Sequence, residues 1–453
     1  MSATTTLQLR MDEAVRHVIR NYNPQGSRIG WLMLASIFVE AWDLYAIAFV
    51  LIFIRAQYHP SALLLGLAAA GTQGGALVGA LVGGWLSDRI GRRIMFLCTM
   101  VLFIVLAVAQ AFVTSVALLA VLRFFLGIPL GSDISNGYTY IMESLPPGER
   151  EVVGNRWQFM FAVGEIMTLA TILVMLLFHM NHELVWRITL GLGAVPALII
   201  FLLRHSLPET AVWLIRRGKF REAKLVSRRL YGDELEMLPN QDFEVPQPRP
   251  TEFLNDTRRD PVRWRATLFS WIACFAQGTE FSTFAFYLPV LFSLVGVSSL
   301  IGINAVTMAL YVVAAISGWV GPMITPRIGH RGISIAGFGI VFVSLLVAAW
   351  ALYTNHIVVL PFAAAAMLWG HYWDASNTMT IATVVAKPQY RGTASGFAYM
   401  FVKLPSFLAI FLFPSLFAVV GHATATLLVA LCPLAGLLGA IFLLPEIYGY
   451  EHH

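Results

Sequence analysis

The sequence predicts an all-α membrane protein with twelve transmembrane helices in two pseudo-symmetric halves of six. Three observations lead to this fold class: an apolar composition, the number of long apolar segments and a repeated loop motif. Of the 453 residues, 58% are hydrophobic and 12% are charged, and the mean hydropathy is +0.72. A soluble domain carries about 25% charged residues. The composition therefore excludes a soluble enzyme, a disordered chain and a nucleic-acid-binding protein as first interpretations.

Twelve apolar segments are long enough to cross a bilayer as helices. A hydrocarbon core of about 30 Å requires about 20 apolar residues in a helix. The predicted segments, numbered span 1 to span 12, are 29–54, 62–87, 94–113, 115–142, 153–178, 184–204, 265–293, 299–324, 332–353, 356–385, 393–420 and 423–444. Because the number of spans is even, both termini are expected on one side of the membrane.

The basic residues predict which side that is. With cytoplasmic termini, all of the 30 lysines and arginines face the cytoplasm except Arg55, Arg123, Arg187 and Lys403, and many of them lie in the long loop over 204–265. The positive-inside rule therefore predicts cytoplasmic termini. No cleavable signal peptide is recognisable and the predicted tail is short, which favours the inner membrane of a prokaryote.

One long polar segment and one repeated motif divide the chain. The polar segment predicts an N-terminal six-helix half over 1–204, a cytoplasmic linker over 205–262 and a C-terminal half over 263–453. The loop after span 2 reads Asp-Arg-Ile-Gly-Arg-Arg over 88–93, and the loop after span 8 reads Pro-Arg-Ile-Gly-His-Arg over 326–331. Four of the six positions agree, which indicates that the halves are copies. Such halves are typical of a secondary transporter with its site between them.

The first loop motif resembles the signature of the major facilitator superfamily. Finer matches resemble the branch that holds sugar porters and phosphate:proton symporters. Arg123 and Glu143 are twenty residues apart in span 4, as in that branch. Residues 207–214, Leu-Pro-Glu-Thr-Ala-Val-Trp-Leu, are similar to the element that follows span 6 in sugar porters, and residues 40–45 are similar to the acidic stretch in span 1 of phosphate symporters. The resemblance implies transport by alternating access.

The substrate pocket does not copy that of the phosphate symporters. Phe161 stands at the position of the family's span 5 glutamine. The family's span 7 aspartate has no counterpart, since Glu280 lies a few residues further on. The resemblance therefore implies the scaffold, and it does not imply inorganic phosphate as the substrate.

Ionisable side chains inside the spans predict the proton pathway, because such groups are costly in a bilayer and usually functional. Glu40 and Asp43 share one face of span 1, and two carboxylates so close favour protonation of one of them. Arg123 stays charged and needs an acidic partner. Asp43 is the predicted partner, and protonating it would weaken the pair and release the helices. Asp133, an acid without a predicted partner, is the second predicted proton carrier.

Polar and aromatic side chains from both halves are the predicted substrate site. The set is Trp157, Gln158, Gln277, Glu280, Trp373, Asp374, Asn377 and Lys403. Intramembrane acids outnumber bases, which argues against a multiply charged anion unless protons accompany it. The balance favours a neutral or zwitterionic metabolite, a cation, or a weak-acid anion held by Lys403. Helix packing is the alternative role for the two tryptophans, and a structural clamp is the alternative role for Arg123.

A cluster of opposite charges at the ends of spans 2 and 4 is the predicted gate. Asp88, Arg89 and Arg92 follow span 2, and Glu143 and Arg150 flank the loop between spans 4 and 5. Such a network can join neighbouring helices and lock the cytoplasmic side. Positive-inside topology is the alternative explanation, but it accounts for the arginines and not for Asp88.

Together these observations predict a proton-coupled symporter of a small polar metabolite or an organic or inorganic anion. The alternative is a proton-antiport exporter of metabolites or drugs, but span 5 has Gly164 and lacks the proline that exporters often carry there. No metalloprotease, phosphate-loop or nucleophile-elbow motif is found, so no enzyme activity, cofactor or metal is expected. The expected partners are a small-molecule substrate, protons and the lipid bilayer, with no nucleic acid, and the chain is expected to be a monomer.

Overall fold

The computed structural model describes residues 3–245, 250–288, 292, 296 and 299–451, and its regular secondary structure is helical. The N-terminal half contains six spans in the predicted order. Their bounds are Gly26–Tyr58 for span 1, Ala62–Ile90 for span 2, Arg92–Gln110 for span 3, Val116–Ser144 for span 4, Glu149–Asn155 with Trp157–Leu177 for span 5, and His182–Leu192 with Ala194–Arg204 for span 6.

The C-terminal half repeats this plan. Its bounds are Pro261–Glu280 for span 7, continued by a π-helix over Phe281–Ala285, Leu300–Thr354 for spans 8 and 9 together, Leu360–Val385 for span 10, Arg391–Val420 for span 11 and His422–Phe442 for span 12. Gly329, with φ 74° and ψ 172°, separates span 8 from span 9. Short 3₁₀ helices over Ile357–Val359 and Pro388–Tyr390 precede spans 10 and 11. Residues 289–291 and 293, which the sequence assigned to span 7, lie outside the described residues.

Length and hydropathy alone identify fewer spans than the fold contains. Within the described residues, nine helices are long and apolar enough to cross a membrane. One of the nine, Leu300–Thr354, is the two spans that meet at Gly329. Spans 7 and 10 fall below the threshold for different reasons. The described part of span 7 carries Arg263 and Arg265 near its start, whereas span 10 carries many buried polar side chains.

Four short helices lie outside the spans on one side of the bundle, which we name the linker side. They are Ala3–Arg20, Ala211–Arg216, Phe220–Tyr231 and Pro250–Arg258. The third of these ends at Gly232, which has a left-handed conformation. The N-terminal helix was not predicted. It packs its apolar side chains on the linker helices, and Arg20 pairs with Glu451, so both described ends lie on this side.

The internal repeat extends beyond the loop motif to a pair of capping glutamates. Glu209 accepts the backbone N–H groups of Arg92 and Arg93 at 3.1 Å each, at the start of span 3. Glu446 accepts those of His330 and Arg331 at 3.0 and 3.2 Å, at the start of span 9. A carboxylate at a helix N-terminus is favourable because the first amides lack partners there. Each glutamate follows Leu-Pro, after span 6 and after span 12.

Glycines allow span 2 to approach its neighbours closely. A Cβ at Gly75 or Gly79 would overlap the carbonyl groups of Phe124 and Ile128 in span 4. At the interface between the halves, a Cβ at Gly84 would overlap the Gly392 carbonyl of span 11. Small residues at such contacts let helix backbones pack tightly in a membrane. Span 2 is thus held against its own half and against the other half by the same device.

Replacing Gly79 with alanine should destabilise the protein. The added methyl group would meet backbone atoms of Ile128, which cannot rotate away, and overpacking of this kind costs about 1–3 kcal/mol. Gly339→Ala is the matched control, because nothing lies within 4 Å of its Cβ position. Thermal unfolding of the purified protein should show a lower Tm for Gly79→Ala only, and equal Tm values would contradict this packing.

Candidate functional site

A small polar cavity lies between the two halves, near the middle of the spans. Its volume is about 30 Å³, which is room for about one or two water molecules. The polar side chains that line it are Glu40, Gln73, Gln158, Gln277, Ser282, His371, Lys403 and Ser406, and the aromatic ones are Trp157, Phe161, Phe281 and Tyr399. A metabolite of several heavy atoms does not fit in this volume. The structure therefore shows the site in a closed state.

Half of the predicted substrate residues line this cavity: Trp157, Gln158, Gln277 and Lys403. Two others, Asn377 and Trp373, do not line it. Asn377 donates to the carbonyl oxygen of His330 at 2.9 Å and to the hydroxyl of Ser334 at 3.0 Å, so it ties span 10 to the loop between spans 8 and 9 and to span 9. Trp373 packs on Gly321 of span 8. Both side chains contribute to packing within the C-terminal half.

The cavity is crossed by an ion pair that links the two halves. The ammonium group of Lys403 in span 11 donates to the carboxylate of Glu40 in span 1 and, at 2.9 Å, to the amide oxygen of Gln73 in span 2. The hydroxyl of Tyr399, also in span 11, donates to Glu40 as well. Glu40 and Lys403 are almost wholly buried. Two residues predicted for different roles thus neutralise one another at the interface.

A second ion pair lies within the N-terminal half. Arg123 donates from Nη1 and Nη2 to the two carboxylate oxygens of Asp43, at 3.1 and 2.9 Å. Nη1 also donates to the amide oxygen of Gln110 at 3.2 Å. Arg123 is fully buried and Asp43 nearly so. The structure brings together the two residues that the sequence paired, and this parallel geometry is the strong form of the interaction.

The structure corrects the expectation that Asp133 has no partner. Arg204 donates to Asp133 at 2.9 Å, and the hydroxyl groups of Thr99 and Ser36 also donate to this carboxylate. Arg204 further donates to the carbonyl oxygen of Met33 at 2.8 Å. Arg204 was expected to belong to the cytoplasmic loop, but it is fully buried at the end of span 6. Asp133 therefore joins spans 1, 3, 4 and 6.

Glu280, His371 and Asp374 form a fourth buried cluster, in the C-terminal half. The ring nitrogen Nδ1 of His371 lies 2.7 Å from Oε1 of Glu280 and 3.9 Å from Oδ1 of Asp374. All three side chains are buried, and His371 is the member that lines the cavity. No Lys or Arg in the described part of the chain forms a salt bridge with either acid. This cluster differs from the three pairs above, since no permanent cation balances it.

A charge network closes the linker side between the halves. Arg92 donates to Glu143 at 2.7 Å and to Asp88 at 3.0 Å. Asp88 in turn accepts the backbone N–H groups of Gly392 and Thr393, at 3.1 and 2.8 Å. These amides are the first of span 11, so Asp88 caps a helix of the other half. The predicted gate is thus an intramolecular network plus one helix cap across the interface.

Two predicted gate residues lie apart from this network. Arg89 is exposed and stacks on Trp85, with its guanidinium 4.4 Å from the ring centroid. Arg150 is buried and donates to the carbonyl oxygen of Tyr450 at 2.8 Å, so it contacts the segment after span 12. Of these two arginines, only Arg150 joins the two halves.

In the linker, burial raises the pKa of the Glu209 carboxyl, while the nearby Arg92 guanidinium opposes this shift.

Several participating residues were not found from the sequence. The contacts of the ion pairs and of the gate are completed by Tyr399, Arg204 and Thr393. Each of these residues contacts a helix that is distant from it in the sequence. Arg391 was counted only for topology, yet it is fully buried and donates to the carbonyl oxygen of Met142 across the interface at 3.1 Å. The position of Arg204 at the end of an apolar segment was the one feature of the sequence that could have indicated its role.

The buried Asp133–Arg204 pair should be required for stability. Asp133→Asn leaves the Arg204 charge uncompensated, and breaking a buried pair in this way costs about 3–5 kcal/mol. Glu183→Gln is the control: it breaks an exposed pair with Arg187, and such pairs contribute about 0–1 kcal/mol. Thermal unfolding should show a large fall in Tm for Asp133→Asn and a small one for the control. Equal Tm values would show that the pair is not structural.

Comparison with known proteins extends these findings. A family model described as "Sugar (and other) transporter" matches residues 30–453. The inner membrane metabolite transport protein YgcS of Escherichia coli (strain K12) is 27% identical over 421 residues, which are 92% of this chain and 91% of YgcS. Probable inositol transporter 2 of Arabidopsis thaliana is 30% identical over 284 residues, 60% of this chain and 48% of that protein.

A solved structure shows the same fold. The proton:xylose symporter XylE, a major facilitator superfamily protein, superposes with a TM-score of 0.78 over 94% of this chain and 98% of its own, at 19% identity. The predicted fold class, twelve helices in two halves, is confirmed. The prediction of a multi-pass membrane transporter and not an enzyme is confirmed as well. The family model covers nearly the whole chain, and this protein belongs to the sugar (and other) transporter family.

Proposed function

We propose that this chain is a proton-coupled symporter of a small, neutral, polyhydroxylated metabolite, such as a sugar or a cyclitol. The observation that carries this proposal is the buried Asp43–Arg123 pair, an ion pair that a single proton can cancel. The family match, an inositol transporter and a proton:xylose symporter among the similar proteins support the same reading. YgcS supports the inner membrane as the location.

The chemistry of the cavity supports a neutral substrate. The carboxylate of Glu40 and the ammonium group of Lys403 in the cavity are paired with each other. The side-chain amides of Gln73, Gln158 and Gln277 both donate and accept hydrogen bonds, and hydroxyl groups require both functions from their partners. A cavity of paired charges and amides suits hydroxyl groups better than a second net charge.

The proton acts by weakening the interaction between Arg123 and Asp43. When Asp43 is a carboxylate, two parallel hydrogen bonds fix span 1 to span 4. Protonation of Asp43 removes its negative charge and so weakens its attraction to Arg123. The contact between Arg123 and Gln110 remains. Span 1 can then shift relative to span 4. Glu40 lies three residues before Asp43 and binds Lys403, so this shift is transmitted to the other half of the molecule.

Alternating access follows from the closed cavity. The halves over 1–204 and 263–453 move against each other, and the linker over 205–262 stays at their surface. In this proposal the linker side is cytoplasmic, the chain acts as a monomer and its source is prokaryotic. Opening toward the cytoplasm requires loss of the Asp88 cap on span 11 and of the Arg391 contact with Met142. Asp133 serves as a structural anchor and does not carry the proton.

Asp43→Asn should uncouple protons from substrate. Asparagine keeps the shape of the aspartate side chain but does not bind a proton at physiological pH. Substrate-driven acidification of proteoliposomes should therefore vanish. Exchange of labelled for unlabelled substrate should persist, because it needs no net proton movement. The measurement uses an internal pH-sensitive dye with xylose and myo-inositol as the first compounds, followed by anions and organic cations.

Glu183→Gln is the control for Asp43→Asn, since it removes an exposed carboxylate outside the cavity. It should acidify the vesicles as the parent does. Normal coupling in Asp43→Asn would contradict the assignment of the proton to Asp43. Alkalinisation by substrate in the parent would contradict symport and favour the antiport exporter.

Asp88→Ala should weaken closure of the linker side. Loss of a helix cap through replacement by alanine costs about 1 kcal/mol, which shifts an opening equilibrium by about fivefold. The measurement uses a protein in which the three native cysteines are replaced and Ser406, which lines the cavity, is changed to cysteine. The rate at which an impermeant thiol reagent labels this cysteine from the linker side is then measured. Labelling should accelerate by about that factor. Arg89→Gln, outside the network, should label as the parent does, and equal rates in all three would rule out the cap as a gate.

A further inference from the structure

The cluster of Glu280, His371 and Asp374 is not used by the mechanism above. It joins span 7, just before the π-helix, to span 10. The donor atoms of the three side chains lie within 4.8 Å of one another. Glu280 and Asp374 are fully buried, and His371 is nearly so. The cluster is a compact, buried group of titratable side chains beside the cavity.

Its charge is not balanced by any basic side chain. Oε2 of Glu280 and both oxygens of Asp374 receive no side-chain donor in the described part of the chain. Two buried carboxylates without a partner cation are strongly disfavoured in an apolar medium. Therefore either protons or a bound cation must neutralise the cluster in this closed state.

The geometry favours protons. Nδ1 of His371 and Oε1 of Glu280 are 2.7 Å apart, a distance that requires a hydrogen atom between them. Oxygen atoms of the Asp374 and Glu280 carboxyl groups lie within 4.8 Å of each other, and two buried carboxyl groups so close favour protonation of one of them. Phe281 stacks on the His371 ring at 5.1 Å between centroids and keeps that face apolar.

The ionisable groups on surrounding helices do not change this balance. In span 5, Glu165 accepts a hydrogen bond from Tyr372 at 2.5 Å. In span 11, Lys403 is held by Glu40. The other titratable side chains on the neighbouring helices include the phenols Tyr138 and Tyr311 and the thiols Cys274 and Cys432. None of them supplies a positive charge to the two acids.

We propose that Glu280, His371 and Asp374 form a second proton-binding site, located in the C-terminal half and separate from the Asp43–Arg123 pair. A proton shared between the two carboxyl groups is held in the closed state. His371 is the member in the cavity wall, so water that enters the open cavity reaches the cluster through its ring. The role of this site in transport rests on the proposed proton coupling, whereas the presence of the bound proton does not.

Infrared difference spectroscopy tests this site directly. A protonated carboxyl group has a C=O stretching band that a carboxylate lacks. The full-length protein is reconstituted in lipid, and spectra are recorded as the pH of the buffer is changed. We expect such a band in the parent, and its loss or shift in both Asp374→Asn and Glu280→Gln. Size-exclusion profiles and Tm values identify any variant that does not fold.

Asp43→Asn is the matched control, because it removes a carboxyl group of the other half. The band should survive in this variant, so failure of the proposed coupling at Asp43 is distinguishable from failure of this site. A band that persists in both Asp374→Asn and Glu280→Gln overturns the proposal. A parent that shows the band only after treatment with a chelator also overturns it, because a divalent cation would then be the occupant.

Discussion

The cost of a charge in the bilayer is the constraint on which this structure depends. An ionised side chain away from water is expensive unless it is paired. The chain meets this requirement with three buried pairs, Asp43–Arg123, Asp133–Arg204 and Glu40–Lys403. The first two hold the N-terminal half together and the third holds the two halves against each other. A pair of this kind is stable while both charges are present and loses its hold when one is cancelled. The same constraint thus provides both rigidity and a switch.

The three pairs differ in how easily a proton can cancel them. Asp133 accepts from Arg204 and from two hydroxyl groups, and Arg204 is fixed by backbone carbonyl groups. Protonating Asp133 would leave that arginine in place among other acceptors and move nothing. Arg123 has only Asp43 and one glutamine among the described side chains. Loss of the Asp43 charge therefore changes the balance of forces at one contact between spans 1 and 4, which is what coupling to helix movement requires.

The sequence predicted the architecture better than the site. Span number and the repeat are local properties, since apolar length and a six-residue motif can be read along the chain. The partnership of Asp43 with Arg123 was also predictable, because Arg123 is the one basic residue inside span 4. Arg204 was missed because an arginine at a span boundary has the same pattern whether it faces water or turns inward. The capping of span 11 by Asp88 and the pairing of Glu40 with Lys403 depend on how the halves dock. That docking has no signal in one sequence.

The two halves share a backbone plan and carry different charges. Glu209 and Glu446 cap equivalent helices with nearly equal geometry, so the scaffold is a repeat. At the position of Asp88, however, the second copy has Pro326, and it has His330 at the position of Arg92. The two buried arginine pairs of the spans, Asp43–Arg123 and Asp133–Arg204, lie in the N-terminal half, whereas the described acids of spans 7 and 10 have only His371 beside them. An arginine loses its hold when its acid is neutralised, whereas an imidazole can exchange protons with its neighbours. In the two proposals, the N-terminal half therefore binds its proton at an ion pair and the C-terminal half at a cluster without a permanent cation, and the cavity lies where the two halves meet.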